Sequence, residues 1–164
     1  MIDSGENLKI IANYGAGFNN VDVDYAREKN IDVTNTPKAS TAATAELTFG
    51  LVLAVARRIV EGDKLSRTKG FDVWVPLFFR GREVSGKTLG IIGFGEIGSA
   101  VAKRAKGFDM DILYTGPHQK KEKEREIGAK YVDLDTLLEH SDFITINAAY
   151  NPDIHHMIDS EQFK

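Results

Sequence analysis

The chain has 164 residues, 42% of them hydrophobic and 27% charged, with a formal net charge of −3 and no cysteine; that size suits one ordinary domain or two very small ones and permits a real core. The balanced, interleaved charge leaves no electrostatic footprint for nucleic acid, and the absence of cysteine removes disulfides, thiolate nucleophiles and cysteine-based metal sites together. No apolar run nears the length of a membrane span, and Met1-Ile2-Asp3-Ser4-Gly5-Glu6 has neither the basic nor the apolar region of a signal peptide, so no membrane partner and a cytoplasmic location are expected.

Residues 8–13 (LKIIAN) form a short apolar run closed by Gly15 and Gly17, the pattern of a buried strand entering a glycine turn. Residues 22–29 carry helical spacing with acids early and Arg27 and Lys29 late, and residues 31–34 return as a strand, so the chain opens β-α-β. After Thr36-Pro37, residues 41–64 predict one long helix with Leu47, Leu51, Val55 and Ile59 marking an apolar face. Residues 68–84 lose periodicity and hold Trp74, Pro76, Phe78 and Phe79, as expected of an ordered loop with a small apolar anchor. A second unit follows: strands at 88–93, 111–115, 131–132 and 142–147 alternate with helices at 96–106, 120–127 and 134–139. Alternation of this kind predicts an α/β fold, a parallel sheet with helices on both faces.

The strongest chemical signal is Gly93-Phe94-Gly95-Glu96-Ile97-Gly98, which follows the apolar strand Leu89-Gly90-Ile91-Ile92 and opens an amphipathic helix. Gly93 permits the tight turn, Gly95 lets a pyrophosphate approach the backbone, and Gly98 lets the helix pack on the strand. Helix N-terminal amides supply the attraction without a Walker-type lysine. An NAD site usually has an acid at the end of the second strand, whereas here that end reads Thr115-Gly116-Pro117-His118-Gln119-Lys120-Lys121. A neutral turn followed by His118, Lys120 and Lys121 favours NADP over NAD, because no carboxylate repels a 2′-phosphate; the plainer alternative is that both lysines point into water. None of the four histidines pairs with a carboxylate at a telling spacing, and His155-His156 fit an exposed loop. No HExxH, metal-ligand or GxSxG pattern is present.

Asn13-Tyr14-Gly15-Ala16-Gly17-Phe18-Asn19-Asn20-Val21-Asp22, Thr34-Asn35-Thr36-Pro37, Thr44-Ala45-Glu46, Arg57-Arg58 and the run from Arg80 to Gly93, together with the glycine turn, resemble the D-isomer-specific 2-hydroxyacid dehydrogenases over almost the whole chain. The resemblance points to members of the glyoxylate and hydroxypyruvate reductase type, with phosphoglycerate dehydrogenases close behind. The resemblance implies three segments. Residues 1–64 would be the end of a flavodoxin-like substrate-binding domain plus a bridging helix, 65–85 a connecting loop, and 86–164 the first four strands of an NAD(P)-binding Rossmann domain.

It also implies that Gly15, Ala16 and Gly17 grip a substrate carboxylate, although the same glycines could merely end a strand. Glu96 and Ile97 would flank the pyrophosphate, Gly116, Pro117, His118 and Gln119 would surround the ribose, and Ala149 would lie beneath the cofactor. The expected activity is NAD(P)H-dependent reduction of a small 2-oxo acid, of glyoxylate or hydroxypyruvate type, in a homodimer built through the cofactor domain. Two departures stand out. Asn147-Ala148-Ala149 replaces the family's common His-x-Pro segment, and the family's catalytic arginine, glutamate and histidine would fall beyond Lys164. The chain is therefore expected to be an internal fragment of such an enzyme, the alternative being a truncated, non-catalytic dinucleotide-binding module.

Overall fold

The computed structural model describes residues 2–5, 7–68, 70, 75–150 and 152–163, and the chain divides into two compact units, Met1–Ala42 and Ala43–Lys164. That division lies upstream of residue 64, because the helix starting at Thr41 buries Ala45, Phe49 and Ala56 in the second unit's core.

The first unit holds strand β1 (Ile10–Ala12), helix α1 (Val23–Glu28) and strand β2 (Asp32–Thr34), preceded by a single 3-10 turn at Ile2–Ser4. β1 and β2 pair in parallel with Ile11 opposite Val33, the β-α-β opening read from the sequence. Asp22 starts α1 by accepting the Tyr25 N–H at 3.0 Å, and Ala26 is its fully buried residue.

The second unit begins with two helices, α2 (Thr41–Ala56) and α3 (Ile59–Thr68), where one continuous helix was expected. The break has a local cause. Arg58 takes φ +54°, its guanidinium bonds both carboxylate oxygens of Glu61 and lies 4.3 Å from the Phe79 ring centre, and Arg82 N–H donates to the Ala56 carbonyl at 2.7 Å. That carbonyl is thus taken by a returning loop rather than by a further helical turn.

The apolar face of α2 also differs from expectation. Ala45, Phe49 and Ala56 are buried, with Val52 and Leu53 packed beside them, whereas Leu47, Leu51 and Val55 are 66%, 57% and 75% exposed. The helix is apolar nearly all round, so spacing alone could not choose its inner side. Of the expected anchor in the 68–84 loop, Phe79 packs beside Gly62 and Phe78 is half exposed; Trp74 lies outside the described residues.

The sheet comprises β3 (Thr88–Ile92), β4 (Asp111–Thr115), β5 (Ala129–Tyr131) and β6 (Phe143–Ile146), all parallel, in the order β5-β4-β3-β6. Helices α4 (Glu96–Lys106), α5 (Lys121–Ile127) and α6 (Leu134–His140) form the crossovers. β3 is buried along nearly its whole length, as a central parallel strand with both faces covered must be. On one face α4 presents Val101, Ala102 and Ala105, and on the other α6 presents Leu137.

Gly90 leaves room for this packing on the α6 side. A Cβ there would stand 2.3 Å from Ser141 Oγ and 2.7 Å from Leu137 Cδ2. Gly128 ends α5 in the left-handed region at φ +75°, and Asp133 caps α6 through the Thr136 N–H at 2.8 Å. Ile144 and Ile146 of the edge strand β6 are partly exposed, and no helix among the described residues is long and apolar enough to cross a membrane.

Candidate functional site

The strand order reverses direction between β3 and β6, which makes the carboxyl ends of these two strands the switch point of the sheet. The 93–98 turn lies there. Its three glycines have different reasons to be glycine. Gly93 has φ +92°, and a Cβ on it would stand 2.5 Å from Ala148 N; a Cβ on Gly98 would stand 2.2 Å from the Gly93 carbonyl oxygen. Those two are demanded by the chain's own packing. Gly95 has an extended backbone, φ −80° and ψ −152°, and a Cβ on it would meet nothing within 4 Å. Its missing side chain serves no contact within the protein and leaves clear access to the first amides of α4. The residues present therefore fit a dinucleotide diphosphate.

Phe94 is buried and stacks on Tyr114 with ring centres 4.0 Å apart, and Tyr131 meets Tyr114 edge-on at 5.4 Å, so an aromatic stack supports the turn from below. Ser99 donates its hydroxyl to the Gly95 carbonyl at 2.5 Å, tying the turn to the second turn of α4.

The 116–119 turn follows β4, where an adenosine ribose would lie. Pro117, His118 and Gln119 are exposed, as are Lys120 and Lys121. Three side chains stake this turn: Tyr131 OH donates to the Gly116 carbonyl at 3.0 Å, Tyr114 OH accepts the Lys120 N–H at 2.7 Å, and Gln119 Nε2 donates to Glu124 at 3.0 Å. Tyr114 OH in turn donates to Glu124 at 2.9 Å. The Gln119 bond, followed by the Tyr114 bond, holds the Glu124 carboxyl below the usual glutamate range, while burial pushes the Tyr114 hydroxyl up. Glu124 is thus an ionised acceptor and Tyr114 a protonated donor at neutral pH. A carboxylate does approach the 116–119 turn, from the helix rather than from the strand end, with its oxygens bonded to Tyr114 and Gln119.

After β6, Asn147 N–H donates to the Ile92 carbonyl at 2.7 Å, and Asn147 and Ala148 wall the Gly93 side of the turn. Ala149 is exposed beyond them.

In the first unit, Gly15, Ala16 and Gly17 form a loop whose carbonyls are all engaged. Asn13 Nδ2 donates to the Gly17 carbonyl at 2.7 Å, Asn35 Nδ2 to the Ala16 carbonyl at 2.9 Å, and Thr36 N–H to the Gly15 carbonyl at 3.0 Å. The Gly15 N–H is turned inward to the Asn13 carbonyl, whereas the Ala16 and Gly17 N–H groups have no partner among the described residues. Asn35 is a contributor that sequence reasoning missed. Its signal was the polar Thr34-Asn35-Thr36 run closing β2, the strand paired with β1.

Apart from His118 in the 116–119 turn, the histidines join neither group. His140 bonds the Thr136 carbonyl within α6, and His155 and His156 stack on each other at 3.9 Å in an exposed loop. Among the described residues no cluster of three or more metal-ligating side chains forms.

The family model for "D-isomer specific 2-hydroxyacid dehydrogenase, NAD binding domain" matches residues 49–164. The chain belongs to this family. A Staphylococcus haemolyticus protein named as a candidate 2-hydroxyacid dehydrogenase is 90% identical over all 164 residues, which make up 52% of its own length. The chain thus spans about half the length of the curated relatives it matches.

Two solved structures bear on the cofactor. The D-lactate dehydrogenase of Aquifex aeolicus, complexed with NAD and lactic acid, is 33% identical with a TM-score of 0.86, covering 98% of this chain and 47% of its own. An acyclic imino acid reductase complexed with NADPH and D-arginine is 30% identical with a TM-score of 0.84, covering 98% and 50%. The glycine turn and β3 to β6 lie within the residues that the NAD-binding-domain model matches.

Proposed function

We propose that this chain is the dinucleotide-holding part of an enzyme that reduces a small 2-oxo acid, of glyoxylate or hydroxypyruvate type, to the D-2-hydroxy acid. The observation that carries this is Gly95, a glycine at the switch point of the sheet whose absent side chain answers to no atom of the protein. Gly93, Gly95, Glu96, Ile97 and Gly98 would surround the diphosphate, Gly116, Pro117, His118 and Gln119 the adenosine ribose, and Ala149 would border the cofactor. The bound nicotinamide would supply a hydride to the substrate's carbonyl carbon. No catalytic residue is assigned within the chain.

The Ala16 and Gly17 amides support a carboxylate-binding role for Gly15, Ala16 and Gly17. Asn13 and Asn35 hold the adjoining carbonyls, and two N–H groups remain for an anion. NADP is the favoured cofactor over NAD, since His118, Lys120 and Lys121 are all exposed around the turn and Glu124 is engaged with Tyr114 and Gln119. A homodimer through the cofactor domain belongs to the proposal, its contact extended by Leu47, Leu51 and Val55, an exposed apolar stripe on α2, whose inner side packs into the same core as the sheet. The domain assignment of 1–64, 65–85 and 86–164, and a cytoplasmic location, complete the proposal.

Fluorescence titration of the 164-residue chain with NADH and NADPH tests the cofactor. Binding of NADPH more tightly than NADH is expected; tighter NADH overturns the preference, and no binding of either overturns the site. Addition of glyoxylate then separates holding from chemistry. Turnover by these 164 residues at an ordinary enzymatic rate would contradict the absence of a catalytic residue, whereas binding without turnover is the expected result.

A further inference from the structure

Helices α4 and α5 are laced by two charge pairs of opposite sense. Lys103 of α4 meets Glu126 of α5 at 2.5 Å, and Lys123 of α5 meets Glu96 of α4 at 3.0 Å. The two pairs differ in what surrounds them. Lys103 lies two turns along α4 and its side chain is 54% exposed, as befits a surface contact. Lys123 is only 31% exposed, and its ammonium also reaches the Gly95 carbonyl at 3.4 Å. It therefore stands against the turn glycine that opens α4 and whose open side no protein atom within 4 Å fills.

Glu96 poses an electrostatic problem at that place. As the first residue of α4 its carboxylate suits the positive end of the helix, but a diphosphate approaching over Gly95 would meet a like charge. We propose that Lys123 is a positioning residue of the dinucleotide site, contributed by α5, whose ammonium neutralises Glu96 and brings positive charge to the cofactor's diphosphate. An ammonium has three donors; Glu96 and the Gly95 carbonyl take two, and the third has no protein partner among the described residues. The proposal rests on the dinucleotide site argued above. Because the diphosphate is common to both cofactors, Lys123 acts on NADH and NADPH alike and does not set the preference between them.

The test is a set of dissociation constants for NADH and NADPH, with the melting temperature of each ligand-free protein alongside. Lys123→Ala is expected to weaken both cofactors by about tenfold, equivalent to ~1.4 kcal/mol. Lys123→Arg restores most of the affinity, because the charge is kept. Lys103→Ala removes the other α4–α5 pair and leaves both constants unchanged. Glu96→Gln combined with Lys123→Ala recovers at least half of the loss on a logarithmic scale, since the charge to be neutralised is gone.

The proposal is overturned if Lys123→Ala binds both cofactors normally, or if the loss is confined to NADPH, which would assign the lysine to the 2′-phosphate. It is equally overturned if Lys103→Ala matches Lys123→Ala, which would reduce both to helix docking. Failure of the unaltered protein to bind either cofactor would overturn the underlying site as well, whereas normal binding with an indifferent Lys123→Ala would remove Lys123 alone.

Discussion

Gly95→Ala and Gly98→Ala should separate ligand access from folding. At Gly98 the added methyl carbon would stand 2.2 Å from the Gly93 carbonyl oxygen, 3.1 Å from Ile91 Cγ2 and 3.2 Å from the Gly93 carbonyl carbon. Ordinary contact needs more than an ångström beyond the first of these distances, and the opposing atom is backbone, so either the turn or the first turn of α4 must move. Overpacking of this kind costs about 1–3 kcal/mol. At roughly 3–4 °C per kcal/mol for a unit of this size, the melting temperature should fall by up to about 10 °C.

At Gly95 the same methyl group meets no protein atom within 4 Å, and the backbone is extended, so stability should stay within about 0.5 kcal/mol of the original. Affinity for both dinucleotides should nevertheless fall at least about tenfold, because the methyl fills the space through which a diphosphate reaches the amides of α4. Far-UV circular dichroism melts give the first quantity and fluorescence titration the second. The reasoning is refuted if Gly95→Ala melts as early as Gly98→Ala, or if it binds dinucleotides as tightly as the unaltered chain.

Further outcomes follow from individual contacts. Tyr114→Phe deletes the hydroxyl that accepts from Lys120 and donates to Glu124, and should cost about 1–2 kcal/mol in chemical denaturation while raising amide exchange across residues 116–120. Asp133 accepts the Thr136 N–H and hydroxyl, which hold its carboxyl below the ordinary aspartate value. A depressed folded pKa gives stability that is complete above the unfolded aspartate pKa and is lost as acid protonates the folded carboxyl. Melting temperature measured from pH 6 downward should therefore fall less steeply in Asp133→Asn than in the original, and identical slopes would contradict the assignment. The proposed dimer contact is tested by Leu51→Glu, which places a charge in the exposed α2 stripe: light scattering should report a dimer for the unaltered chain and a monomer for the variant, and a dimer in both would assign the interface elsewhere.

Elements whose apolar pattern had one meaning were legible in the sequence. β4 and α4 have the expected bounds because a buried parallel strand and a helix with a single apolar face each leave one period. The glycine turn was legible for the same reason, its surroundings being a strand and a helix in register. The inner face of α2 was not, since Leu47, Leu51 and Val55 look as suitable for burial as Phe49 and lose only in competition for one core. Nor was the helix break, which depends on Arg82 returning to the Ala56 carbonyl from 26 residues away. The charge around the 116–119 turn was half legible. His118, Lys120 and Lys121 are visible in the sequence, but Glu124 reaches that turn only because a helix folds back and Tyr114 and Gln119 meet it. Lys123 and Asn35 were hidden likewise, each acting across a tertiary contact.

The wall against Gly93 is made of main chain: Ala148 N and Cα and the Asn147 carbonyl carbon. What that position constrains is thus the path of the chain after β6, and not the identity of the side chains along it. This reconciles Asn147-Ala148-Ala149 with a family that commonly carries His-x-Pro there. Exchanging residues in the segment should be silent for the cradle, whereas inserting or deleting one should slide the wall and distort the glycine turn that it touches. Among homologues, the stretch between β6 and residue 150 should accordingly vary in composition and hold its length.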